Sequence, residues 1–415
     1  MERPEYLEIL KQKMHNGMIK VITGLRRCGK SYLLFNLFYN YLLESGIGDD
    51  HIIRLQLDDW SNREFRNPDR LYGYVKGRIS GEGQYFILLD EVQLVPQFED
   101  VLNGFLHIDN ADTYVTGSNA RFLSRDIITE FRGRGDQIHL QPLSFKEFMT
   151  SFDGHVLDGW QRYITFGGLP KLLDMKKDRE KADYLKNIFE ETYIRDIVER
   201  NDVRNKPEME ELLDVVASSI GGLTNPKKLS DTFKSVKDVT IHPDTVKSYL
   251  DYLEDSFLIS KARRYDVKGK RYINTPMKYY FSDCGLRNAR LGFRQIEETH
   301  LMENVIFNEL CRREYSVDVG CVDDIITDAN GKRTQKQLEI DFVCNLGSRR
   351  IYIQSVLTLP SLDKIRQEQR SLLKVSDSFG KIIIVKDGVS HYNEDGVLIL
   401  NLFDFLFEKT ERSLL

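Results

Sequence analysis

Lys30 and Ser31, set directly behind a pair of glycines, and Asp90 and Glu91, set at the end of an apolar run, are the side chains whose spacing speaks first of chemistry. The stretch "GLRRCGKS", Gly24 to Ser31, has the form G-x-x-x-x-G-K-S. A glycine-bounded loop of this kind turns several backbone N–H groups toward an anion. The N-terminus of a following helix adds its positive end, so triphosphate charge is stabilised there. Lys30 would reach the β and γ phosphates, and the Ser31 hydroxyl would ligate Mg²⁺. The candidate nucleotide-binding residues are Gly24, Cys28, Gly29, Lys30, Ser31 and Tyr32. Cys28 reads as a small loop residue, with a redox-sensitive thiol beside the phosphates as the alternative. In "YFILLDEVQLV", Asp90 would hold Mg²⁺ through its water shell and Glu91 would position the attacking water. The plain alternatives are a chance glycine loop before a core helix and a solvated strand end.

The flanking elements must position these groups, and they agree with the functional reading. Residues 18–23 can form a buried strand. Tyr32, Leu33, Leu34, Leu37, Phe38, Tyr41 and Leu42 recur at helical spacing until Gly46 offers a stop. "HIIRLQLDDW" reads as a strand, residues 61–83 as a loop and short helix, and Phe86 to Leu89 as a buried parallel strand that ends in carboxylates. "DTYVTGSNARFLSRDI" supplies another strand, whose tip Thr116, Gly117, Ser118, Asn119 can hydrogen-bond the γ-phosphate or its water and can equally cap the next helix, two roles that do not exclude each other. Arg132 and Arg134 precede a last strand, expected at residues 137–140.

The chain has 415 residues, room for two or three domains, and a net charge of −5 that gives no overall attraction to nucleic acid. Any DNA contact must therefore be local. The five cysteines show no C-x-x-C spacing, which suits free thiols in a reducing compartment, and residues 1–17 carry no apolar signal core. The expected location is cytoplasmic.

The motifs "GLRRCGKS", "FILLDEVQ", "VTGSN" and "FRGRGDQIHLQPLSFKEF", followed by "FGGLP", "ETYIRDIVERNDVRN", "YLDYLEDSFLI", "KYYFSDCGLRNA", "MENVIFNEL" and "LEIDFV", resemble the prokaryotic AAA-type ATPases that carry a C-terminal domain of the DUF4143 kind. The resemblance implies a five-stranded parallel sheet with the catalytic strand in the middle. It also implies Asn119 as a sensor, and Arg134, with Arg132 as second candidate, as an arginine finger serving a neighbouring subunit of a homo-oligomer. The expected organisation is an ATPase core at 1–144, a helical lid at 145–204, a winged helix at 205–273 and a nuclease-fold domain at 274–415. In the lid, "GGLP", Gly167 to Pro170, is similar to the Gly-x-Pro element whose proline packs on adenine. A plain turn between helices explains the same residues.

The pattern helix, short helix, helix and hairpin over residues 206–272 reads as a winged helix-turn-helix. Its hairpin crowds Lys261, Arg263, Arg264, Lys268, Lys270 and Arg271 around Asp266, with Tyr265 and Tyr272 between them, a cluster suited to DNA phosphates. The candidate recognition helix argues against sequence reading, because Asp244, Asp251, Glu254 and Asp255 face only Lys247. From Asn274 onward the chain resembles a restriction-endonuclease-like fold, with Glu303, Glu339 and Asp341 as a possible Mg²⁺ set. Where such nucleases carry Glu-x-Lys, this chain has Gln354, Ser355 and Val356. A valine cannot stabilise charge on a pentavalent phosphate, so the domain reads as a degenerate module that binds nucleic acid or a partner. The leading expectation is Mg²⁺-dependent ATP hydrolysis that rearranges these modules. The alternatives are a slow ATP-binding switch and an ATP-coupled nuclease.

Overall fold

The structure, a computed structural model, describes residues 2–117, 133–237, 240–327 and 333–409. It divides into two compact units. One comprises Met1–Leu143, Leu169–Leu173 and Glu254–Leu258, and the other Ser144–Gly168, Asp174–Leu253 and Ile259–Leu415.

The first unit is built on the parallel strands β1 (Ile19–Thr23), β2 (Ile52–Gln56), β3 (Tyr85–Asp90), β4 (Ala111–Thr116) and β5 (Gly135–His139). Their spatial order is β2-β3-β4-β1-β5. Short apolar runs make these strands because both faces of the sheet are covered, and every residue of β1 and β3 is buried. The helices Pro68–Arg78 and Phe98–Phe105 cover one face, placing Leu71, Val75, Phe98 and Leu102 against Val21, Leu55, Ile87 and Val115. The helical run after the glycine loop, residues 30–44, presents Phe38 to Tyr114 (ring centroids 4.5 Å apart) and to Phe86 (6.4 Å). Its middle, Leu33–Phe38, has π-type turns.

The sheet order corrects one expectation. The central strand is β4, and β3, which ends in Asp90, lies between β2 and β4. Lys20 ties β1 to its neighbour β4. Its ammonium is completely buried and ion-paired to Asp112 of β4, which also accepts the Tyr114 hydroxyl at 3.1 Å and the His15 N–H at 3.0 Å. A buried lysine without that partner would be costly. The last strand begins two residues earlier than expected, at Gly135.

In the second unit, the helices Phe145–Thr150, Val156–Phe166 and Asp178–Ile188 are followed by Lys206–Ser218, Pro226–Lys237 and Pro243–Asp255. Ser144 and Glu147 form a reciprocal capping box at the first of them, and Asn205 caps the helix Lys206–Ser218. The strands β6 (Ile259–Asp266) and β7 (Arg271–Phe281) then form the expected hairpin.

This hairpin is no free-standing wing. β6 pairs in parallel with β8 (Ser316–Thr327), Arg264 opposite Val319 and Asp266 opposite Cys321. The sheet continues through β9 (Arg333–Leu346), β10 (Arg349–Val356), β11 (Gly380–Val385), β12 (His391–Tyr392) and β13 (Leu398–Asn401). Its order is β12-β13-β11-β10-β9-β8-β6-β7. The boundary expected after residue 273 thus falls inside β7. From the helix Glu298–Arg312 the path is helix, three antiparallel strands, the helix Leu362–Leu373, and a strand parallel to β10. Among the described residues, no helix is long and apolar enough to cross a membrane.

Candidate functional site

Strand β1 ends at Thr23, and the chain must turn at once. Gly24 does so at φ +140°, where a Cβ would lie 2.0 Å from the carbonyl oxygen of Leu140. Only glycine fits there. Gly29, at φ +104°, releases the chain into the helix that begins at Lys30. Lys30 is buried, and its ammonium folds back over the loop to the carbonyl oxygens of Gly24 (2.9 Å) and Leu25 (3.0 Å).

Asp90 and Thr116 terminate the adjacent strands β3 and β4, at the edge where open α/β sheets bind ligands. The Thr116 hydroxyl donates to the Asp90 carboxylate and accepts the backbone N–H of Glu91 at 3.1 Å. The Ser31 hydroxyl lies beside the same carboxylate and favours its charged form. Burial pushes the Asp90 carboxyl above its ordinary range, and the two hydroxyls hold it back. Glu91 adopts a left-handed backbone, φ 52°, and its carboxylate accepts the side-chain amide of Gln93. One hydroxyl and one carboxylate beside a phosphate-binding loop form a hard-oxygen donor pair of the kind Mg²⁺ takes together with phosphate oxygens and water.

Other expected residues divide. Cys28 is fully buried. Its thiol donates to the Leu140 carbonyl at 3.3 Å, and burial pushes the thiol up, so it serves as a small packing residue rather than a reactive thiolate. Tyr32 is partly exposed on the first helical turn. Pro170 belongs to this unit, and its Cγ lies 3.8 Å from the point where a side chain on Gly29 would begin. Arg134 is exposed, and its carbonyl accepts the Ile19 N–H at 2.9 Å, so it sits at the opposite end of β1 from the glycine loop. Asn119 and Arg132 lie outside the described residues, as does Ser118.

Sequence reasoning missed one element of this site. Arg3 donates to the carbonyl oxygens of Cys28 (3.3 Å) and Gln141 (3.0 Å), clamping the loop to the segment after β5. No motif marks it. Thr116 was considered for the γ-phosphate, yet its hydroxyl serves Asp90 and Glu91.

In the second unit, Arg263, Lys268, Lys270 and Arg271 are exposed on the hairpin. Some of its charge is engaged internally: Arg264 donates to Gln337 at 2.7 Å, Lys268 to the Asp323 carbonyl at 3.4 Å, and Arg271 pairs with Asp266 at 3.4 Å. Lys261 is half-buried. Glu303, Glu339 and Asp341 do come together, but around the ammonium of Lys278. The Ser355 backbone N–H donates to Asp341 at 2.8 Å, and Val356 is buried.

Over its whole length the chain is 31% identical to an uncharacterised protein of Haemophilus influenzae, covering 98% of this chain and 99% of that one. The chain belongs to that protein's family. Residues 16–149 match the family model of an AAA domain, so the first unit carries an AAA-type P-loop ATPase fold. Residues 157–297 match a domain of unknown function, DUF8612, and not the DUF4143 kind that the sequence resembled. An uncharacterised protein of Methanocaldococcus jannaschii is 26% identical over 400 residues, 92% of this chain and 84% of its own. Among solved structures, the Aeropyrum pernix ORC1 protein in complex with DNA is 12% identical, with a TM-score of 0.33 over 70% of this chain and 92% of that one. PCH-2 of C. elegans is 13% identical, with a TM-score of 0.26 over 60% and 65%. Beside the AAA domain's glycine loop, the Thr116–Asp90 hydrogen bond, with Ser31 next to the same carboxylate, marks the candidate catalytic end of the sheet.

Proposed function

We propose that the chain binds ATP with Mg²⁺ and hydrolyses it, and that the nucleotide state governs modules that engage a nucleic acid or a protein partner. The observation that carries this reading is the meeting of Ser31 and Asp90 at the mouth of a glycine loop over which Lys30 is folded. Phosphate oxygens offer Lys30 the acceptors that the Gly24 and Leu25 carbonyls now supply, at full negative charge. Ser31 and Asp90 would hold Mg²⁺, which neutralises charge on the phosphates. Glu91, one residue past the strand end, would orient the attacking water once its carboxylate leaves Gln93. Pro170, beside Gly29, would pack on the base, and Asn119 would act as sensor.

The paired variants Lys30→Ala and Glu91→Gln test this directly. ATP binding, measured by calorimetry, should be lost in the first and kept in the second, while phosphate release should be lost in both. Normal turnover in Glu91→Gln would sink the water-positioning role.

The Glu91–Gln93 hydrogen bond favours a second reading, a slow switch in which binding rather than turnover sets the state. A carboxylate held by an amide is not available to polarise water. Under that reading Gln93→Ala raises the basal rate of phosphate release, and under the first it leaves the rate unchanged or lowers it.

A further inference from the structure

The family-like positions Gln354 and Val356 leave the second unit without a lysine on β10, yet a lysine is present at its acidic centre. It comes from β7. Lys278 is 2% exposed, and its Nζ lies 2.7 Å from Glu339 Oε1, 2.9 Å from Glu303 Oε1 and 3.4 Å from Asp341 Oδ1. Glu339 and Asp341 share one face of β9 by strand alternation, and Glu303 reaches the same point from the helix Glu298–Arg312. Carboxylates drawn from a helix and a strand in this way ordinarily surround a divalent ion, at about 2.0–2.1 Å for Mg²⁺. Here the ammonium stands at their common point instead.

The surroundings complete this arrangement. Tyr280, two residues along β7, donates its hydroxyl to Glu303 at 2.6 Å, and the Ser355 N–H takes the other oxygen of Asp341 at 2.8 Å. Gly221 lies over Glu303, where a Cβ would come within 3.1 Å of Oε1. The loop bearing it is tied to β7 by reciprocal backbone hydrogen bonds between Thr224 and Met277, 2.8 Å each, and by the Gly221 N–H to Tyr279 at 3.3 Å. Side chain and roof therefore close the space that a metal ion and a scissile phosphate would share. Burying carboxylates together is strongly unfavourable without a cation, so removing the lysine leaves a site that demands one.

We propose that Lys278 is the resident cation of this site: it takes the place of a divalent ion among Glu303, Glu339 and Asp341, so the second unit works without metal and cleaves no nucleic acid. The lysine that would be needed beside a metal in a nuclease is spent as the metal's substitute.

The test titrates nucleotide-free full-length protein with Mn²⁺, read by thermal shift and by the paramagnetic resonance of free Mn²⁺. Wild type and Asp341→Asn should take up equal amounts, and neither should cleave plasmid DNA in Mg²⁺ or Mn²⁺. Lys278→Met should gain a Mn²⁺ site and a rise in melting temperature on adding the metal, both absent from Lys278→Met/Asp341→Asn. Mn²⁺ uptake or cleavage by the wild type that disappears in Asp341→Asn overturns the proposal, and that comparison stands even if Lys278→Met does not fold. A folded Lys278→Met that gains no site also overturns it.

Discussion

Thr116, the last residue of β4, joins Asp90, the last residue of the neighbouring strand, to Glu91 just beyond it: it donates to the side chain of Asp90 and accepts from the backbone of Glu91. Thr116→Val keeps the shape and removes both bonds. Leaving such buried polar groups unpaired costs about 1–3 kcal/mol, and here the cost falls on the residues that would handle Mg²⁺ and water. ATP affinity should change little, because Lys30 and its loop are untouched. Phosphate release should fall by roughly one to two orders of magnitude, in line with a loss of that size in the transition state. Thr116→Ser should restore most of it. Equal rates for the valine and wild-type proteins would remove Thr116 from the mechanism.

The buried pair Lys20–Asp112 makes a prediction about stability alone. Asp112→Asn leaves an ammonium in the sheet without its counter-charge, a loss of about 3–5 kcal/mol by urea denaturation. The double variant Lys20→Met/Asp112→Leu should recover part of this, because two apolar side chains need no partner, while the Tyr114 hydroxyl and the His15 N–H lose the acceptor that Asp112 gave them. If the single and double variants are equally destabilised, packing rather than charge governs the site.

Arg134 lies one strand length from its own glycine loop: at about 3.3 Å per residue, the five residues of β1 span roughly 16 Å. Any role at a phosphate then belongs to the nucleotide of a neighbouring copy. Lys30→Ala and Arg134→Ala should each be inactive. Mixed, they should regain activity that rises with protein concentration, since an arginine finger is worth on the order of 10³ in rate or more. Full activity of Arg134→Ala alone, or a dead mixture of proteins that co-assemble, argues for a self-contained site.

On the hairpin, replacing Arg263, Arg264, Lys268 and Lys270 with alanine should weaken any DNA binding about equally for all sequences and flatten its salt dependence. Arg264→Ala alone should contribute least, because its guanidinium is already held by Gln337. Unchanged affinity in the fourfold variant would assign these charges to a solvated face.

How much of this was legible in the sequence follows from how local each feature is. The glycine loop and the end of β3 were readable because their chemistry is written in adjacent residues and bracketed by a strand and a helix. Lys20 was not, since a lysine inside an apolar strand shows nothing of Asp112, 92 residues on. Lys278 was hidden for the same reason. It stands 63 residues from Asp341, on a strand that the boundary expected after residue 273 cuts in two. The hairpin was recognised as a hairpin, but its parallel pairing to β8 depends on Val319 to Cys321, which no local signal connects to it.

The first unit is discontinuous along the chain, and this governs when it can be finished on the ribosome. Leu169 and Leu172 are buried within it, as are Phe257 and Leu258, with the Phe257 ring 5.0 Å from that of His139 at the end of β5. Translation must therefore pass residue 258, through all the helices between, before the last apolar surface of this unit is covered. Domains of ordinary connectivity fold as units while synthesis proceeds. Here the nascent first unit must wait with part of its core bare. A fragment that stops near residue 150 keeps every phosphate-loop residue, yet it leaves those apolar seats empty and should aggregate.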